Sequence, residues 1–178
     1  MNLRREGEYV NTQIEDIKGW RGTEWGMTND HLLSLFKGEI DFLKEPEDKG
    51  RDRFCELYIK KFKIHDDSFN VYFVTTKDKI ELVQIIFKLV DDNGTDFERG
   101  FFHIERLLTM KYGKSQYEYN STISSYRHWL FPSTLIMLDY VKPFEGGIGK
   151  VEGVYLIYSD FEYSKNMENS IYKGLDLV

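Results

Sequence analysis

The chain has 178 residues with 24 Lys and Arg against 30 Asp and Glu, a formal net charge of −6 and a pI near 5.3. Its 41% hydrophobic content, with 3 Trp, 12 Tyr and 13 Phe, excludes intrinsic disorder and fits a single domain over residues 1–178. A lone cysteine, Cys55, excludes internal disulfides and CxxC-type zinc or redox sites, no apolar run reaches the ~18 residues of a spanning helix, and an acidic balance without a Lys/Arg stripe argues against nucleic acid as partner.

The first ten residues, MNLRREGEYV, carry four charges and no apolar stretch follows, so the expected compartment is the cytoplasm, or the exterior if a leader has been trimmed. Residues 1–18 read as an arm or a short edge strand. Thr28-Asn29-Asp30 supplies helix-start oxygens, and Leu32, Leu33, Phe36 and Ile40 predict a helix from about 29 to 37, extending at most to 44 before Pro46. Residues 45–53 read as a charged loop.

Alternation predicts strands over 55–64, 69–75 and 79–90, with Tyr58, Phe62 and Ile64 on one face of the first. The polar connections are too short for a parallel crossover, so these strands form an antiparallel meander. Thr95-Asp96-Phe97-Glu98 fits a capping box, and Phe97, Phe101, Ile104 and Leu108 make one helical stripe that closes at Gly113. A second group of strands is predicted over 125–131, 134–141 and 151–159, and a last helix over 160–174. The expected fold is α+β: about six largely antiparallel strands in α-βββ-α-βββ-α order, helices to one side, with a faint suggestion of two halves sharing one order of elements.

Three phrases stand out in sequence: Trp20-Arg21-Gly22-x-x-Trp25-Gly26, then Lys111-Tyr112-Gly113, then Trp129-x-x-Pro132-x-Thr134-x-Ile136. Together they resemble a group of uncharacterised bacterial proteins, many of them exported or lipid-anchored, with no assigned activity. The resemblance spans roughly 20–160. Motifs of Gly, Trp and aliphatics imply fold signatures and carry over no catalytic residue.

Local chemistry is sparse. His103-Ile104-Glu105 lacks the Pro-Cys-x-x-Cys partner of a zinc deaminase, and on a helix His103 shares a face with Arg99 and Arg106, a solvated surface or at most a weak anion patch. Asp91-Asp92-Asn93-Gly94 fails the EF-hand register, and Gly146-Gly147-Ile148-Gly149-Lys150 fails the P-loop pattern because Val151 follows the lysine. No metal set or cofactor motif remains.

The residues left above background are aromatic. Tyr117 and Tyr119 lie in a polar stretch beside Arg127 and His128, a composition suited to interface hot spots. The favoured expectation is a non-enzymatic protein- or peptide-binding domain, in a specific version one that neutralises a basic partner. The alternative is a hydrolase-like enzyme assembled from distant residues, with His128, Asp139 and Glu152 as the set to inspect.

Overall fold

The computed structural model describes residues 15–92, 94–143 and 152–166, which form one antiparallel eight-stranded sheet with two helices on one face. Helix α1 (Asn29–Leu35) precedes β1 (Asp41–Gly50), β2 (Arg53–Ile64), β3 (Asp67–Thr76) and β4 (Leu82–Leu89). Helix α2 (Phe97–Tyr112) precedes β5 (Tyr117–Asn120), β6 (Ser124–Leu130), β7 (Thr134–Val141) and β8 (Gly153–Asp160). Each helix thus opens a four-stranded meander.

In the sheet the order is β1-β2-β3-β4-β8-β7-β6-β5, so the meanders join through their last strands, with Ile86 opposite Ile157 at the seam. The helices occupy matching places. Phe36, which caps the C-terminal end of α1, packs on Phe73 of β3 at 5.3 Å, and Phe101 of α2 packs on Tyr140 of β7 at 5.8 Å. Two similar halves are therefore related by an approximate two-fold axis through the seam.

One face of the sheet holds the core. Leu57, Phe69, Val71, Phe73, Ile85, Phe87, Leu156, Ile136, Leu138 and Trp129 interdigitate with Leu32 and Phe36 from one half and Phe101, Ile104 and Leu108 from the other. These apolar side chains leave water together, which is the dominant stabilising term of the fold.

The α+β class and antiparallel sheet stand, while the count and order of strands are corrected. Eight strands replace six, because 41–50 is strand β1 rather than helix and charged loop, and 117–120 is strand β5 rather than coil. Both are edge strands, exposed along nearly their whole length, so neither carries the apolar alternation that marks an inner strand. Pro46 is tolerated in β1 because an edge position leaves its missing N–H unneeded.

Two finer expectations also change. A bulge between Ile59 and Phe62, with Lys61 at φ +52°, flips the strand, so Tyr58 faces away from Phe62 and Ile64. Helix α2 is capped by Asp96, whose carboxylate accepts from Arg99 N at 2.9 Å, while Thr95 Oγ1 accepts from Asp92 N and donates to Val90 O in the preceding turn. Of the arm over 1–18, the described residues 15–18 form no strand; they are pinned to the β6–β7 turn, where Ser133 N and Oγ donate to Asp16 at 2.9 and 2.6 Å. The predicted last helix is helical over 161–166, and its remainder lies outside the described residues.

Candidate functional site

The pleat sends alternate residues to the face opposite α1 and α2, and the cross-strand register arranges them in rows. A central row runs Tyr58, Tyr72, Ile86, Ile157, Met137, His128 and Tyr117 across seven strands. Beside it runs Asn70, Lys88, Tyr155, Asp139, Tyr126 and Tyr119. At about 4.8 Å per strand the central row is about 29 Å long and its neighbour about 24 Å.

A third row, Cys55, Val74, Gln84, Ser159, Leu135 and Leu130, is covered toward its middle. Residues 161–166 cross this face, with Ser164 Oγ 2.6 Å from Ser159 Oγ and Tyr163 Oη donating to Arg51 O at 3.3 Å. That segment departs from the expectation of helices on one side only. It walls a concavity of about 410 Å³ floored by Tyr117, Tyr126, His128, Leu130, Leu135 and Met137 and closed by Phe161, Ser164 and Lys165.

Aromatic rings line the open rows in stacked geometry. Tyr119 lies 4.9 Å from Tyr126, which lies 5.0 Å from His128, and Tyr58 stacks on Tyr72 at 6.1 Å. Tyr117 and Tyr119 are 59% and 46% exposed, a large apolar area left in water at the sheet edge.

Asp139 sits among these rings, opposite Tyr126 on β6 and Tyr155 on β8. Its carboxylate has no hydrogen-bond or ion-pair partner among the described residues. Loss of water around it pushes its carboxyl up to about 6. A half-buried charge without a partner costs stability, and a docked cation offsets that cost.

The residues singled out from sequence divide between the two faces. Tyr117, Tyr119 and His128 share the open face, and His128 is a diagonal neighbour of Asp139 across β6 and β7. Arg127 does not join them: it is 5% exposed beneath α2, its Nε 2.5 Å from Glu105 Oε1, its Nη1 donating to Tyr119 O and Asn120 Oδ1, and its guanidinium 5.3 Å over the Phe101 ring. Alternation along β6 dictates this, since odd positions face the core.

Glu152 accepts from Tyr140 Oη at 2.7 Å, and Tyr140 belongs to the core face. The trio His128, Asp139 and Glu152 is therefore split, with two members on the open face and the third bonded to a core residue. Among the described residues no three His, Cys, Asp or Glu side chains converge as a metal site. Cys55 is fully buried and desolvation pushes its thiol up to about 12, so it is un-ionised and enclosed.

Sequence reasoning missed Tyr126 and Tyr155 as cross-strand neighbours of Asp139, and Tyr58 and Tyr72 as members of the same open face. Their signal was present as tyrosines at alternate strand positions facing away from the aliphatic set, legible only once registers are known.

The three Trp/Gly phrases meet in space. Trp25 Nε1 donates to Thr134 Oγ1 at 2.9 Å, Trp129 Nε1 donates to Gly113 O at 2.8 Å, and Tyr112 packs edge-on against Phe131 at 5.3 Å. They tie both helix ends to the sheet. No helix among the described residues is long and apolar enough to cross a membrane. No family model, curated protein or solved structure matches the chain.

Proposed function

We propose that this protein is a binding module whose open sheet face takes a basic, amphipathic segment of a protein partner, and that it neutralises that partner by covering the segment. The observation that carries this reading is Asp139: a carboxylate without a hydrogen-bond or ion-pair partner among the described residues, with Tyr126 and Tyr155 as its cross-strand neighbours. A Lys or Arg side chain docked there gains both a charge pair in a water-poor setting and cation–π contact with Tyr126 and Tyr155. The about 29 Å length of the central row matches about 19 residues of helix, whose apolar stripe would lie on Ile86, Ile157 and Met137. A net charge of −6 favours encounter with a basic partner.

The hydrolase-like reading has less support, because Glu152 is engaged by Tyr140 and only His128 and Asp139 share a face.

The test is a fluorescence-anisotropy titration with a labelled synthetic helix bearing a leucine stripe and one central lysine, against the same helix with glutamine there. Asp139→Asn is expected to weaken the lysine helix about tenfold and leave the glutamine helix unaffected, a coupling that only direct pairing produces. Equal binding of the lysine helix by both proteins would overturn the proposal.

A further inference from the structure

On the helix-covered side of the molecule, far in the fold from the open face, α2 carries a second chemical cluster. Arg99, Phe102, His103 and Arg106 fall at i, i+3, i+4 and i+7, one outward stripe of the helix. The β2–β3 turn, with His65 at φ +52°, delivers Asp67 against that stripe. Asp67 Oδ2 lies 2.6 Å from His103 Nδ1, and both side chains are largely enclosed, at 11% and 22% exposure. The His65 ring stands 5.7 Å from the His103 ring.

A proton on His103 Nδ1, donated to the Asp67 carboxylate, fixes the ring and directs Nε2 outward. On either side Arg99 and Arg106 have no acidic partner among the described residues. A concavity of about 490 Å³ is bounded by both arginines, His103, Asp66, Asp67 and Phe102. Phe102 is 54% exposed, an apolar ring facing solvent beside two guanidiniums.

We propose that this concavity is a binding site for a phosphate ester carried on an aromatic group. Arg99 and Arg106 supply paired N–H forks for the phosphate oxygens, His103 Nε2 supplies a further donor, and the aromatic moiety stacks on Phe102. Asp67 is occupied by His103, which leaves Asp66 as the opposing charge lining this concavity, while Asp92 and Asp96 line the adjoining one with Arg99. A divalent metal does not fit, since no three ligating side chains converge among the described residues.

The test is heteronuclear NMR titration of the full chain with phenyl phosphate, and in parallel with phosphotyrosine, adenosine monophosphate and inorganic phosphate. Saturable binding of phenyl phosphate at about 1 mM or tighter is expected, with amide shifts confined to the β2–β3 turn and the 99–106 stretch. Phosphotyrosine or the nucleotide, whichever binds as tightly, identifies the natural carrier. The double variant Arg99→Gln, Arg106→Gln should weaken binding at least about tenfold while leaving the thermal midpoint unchanged, because neither arginine has an acidic partner to lose among the described residues. Shifts scattered over all basic residues, or undiminished binding by the double variant, would overturn the site. Inorganic phosphate binding as tightly as phenyl phosphate would overturn the role of Phe102.

Discussion

At Asp139 the proposed function and stability oppose each other. Its carboxyl titrates near 6 in the folded chain against an ordinary value of 3.8, so folding favours the protonated form. The destabilisation is therefore present in full above about pH 6 and is relieved as pH falls from there toward 4. Asp139→Asn is expected to stabilise the protein by about 1–2 kcal/mol at neutral pH, a figure reduced from the full linkage value because the group is partly exposed, and to flatten the acid side of the stability–pH curve. Chemical denaturation across pH checks both. Partner binding should decline as pH falls through about 6, and the Asn variant should lose that dependence. Arg127 behaves in the opposite sense: its pair with Glu105 is enclosed, so Arg127→Ala should cost about 3–5 kcal/mol and leave anisotropy with the lysine helix unchanged once folded. Gly113, at φ +81° and ψ −172°, occupies backbone space open essentially to glycine, and Gly113→Ala should cost about 1–3 kcal/mol as it moves the carbonyl that Trp129 uses.

Among the elements, α2 shows how a cap is chosen. Asp96 holds the Arg99 amide while Thr95 is committed to the preceding turn, so Asp96→Ala should cost about 1 kcal/mol and Glu98→Ala very little, a difference that urea midpoints resolve. The loop before α1 is held from both sides. Gly26, at φ +85°, donates to Leu82 O at 2.9 Å, and Leu82 N returns a bond to Met27 O at 2.8 Å, which aligns the loop with β4. Trp25 then reaches Thr134 in the other half. Trp25→Ala should cost about 3 kcal/mol, lower than a fully enclosed tryptophan, and should lower the melting temperature without touching either proposed site.

For the whole molecule the seam between β4 and β8 decides how many units unfold. The core crosses it through Phe87 and Tyr158, whose rings are 5.8 Å apart, and the first half donates Trp25 to the second. Neither meander has its own closed core, so the halves should unfold in one transition, with tryptophan fluorescence and far-ultraviolet circular dichroism coinciding in urea. A chain of 15–92 alone would present the long apolar edge of β4 and should aggregate rather than fold. The same seam places the two halves' open faces side by side, and only their union is long enough for the partner helix we propose.

Local pattern was sufficient for the inner strands and for α2. Val71, Phe73, Ile85, Phe87, Ile136 and Leu138 alternate because one face of each strand is enclosed, and a 2.0 period survives in any sequence that must do this. The same reasoning fails where no face is enclosed. β1 and β5 lie at the edges and read as loop or coil, because solvent on both sides imposes no alternation. It fails again at the Lys61 bulge, where one added residue reverses the face of Tyr58. Asp139 and the tyrosines around it come from β6, β7 and β8, and Asp67 reaches His103 across 36 positions, so both proposed sites rest on long-range register and packing. Sequence by itself determined which residues leave water; tertiary structure decided which of the remainder meet, because cross-strand register and helix docking set those distances and composition does not.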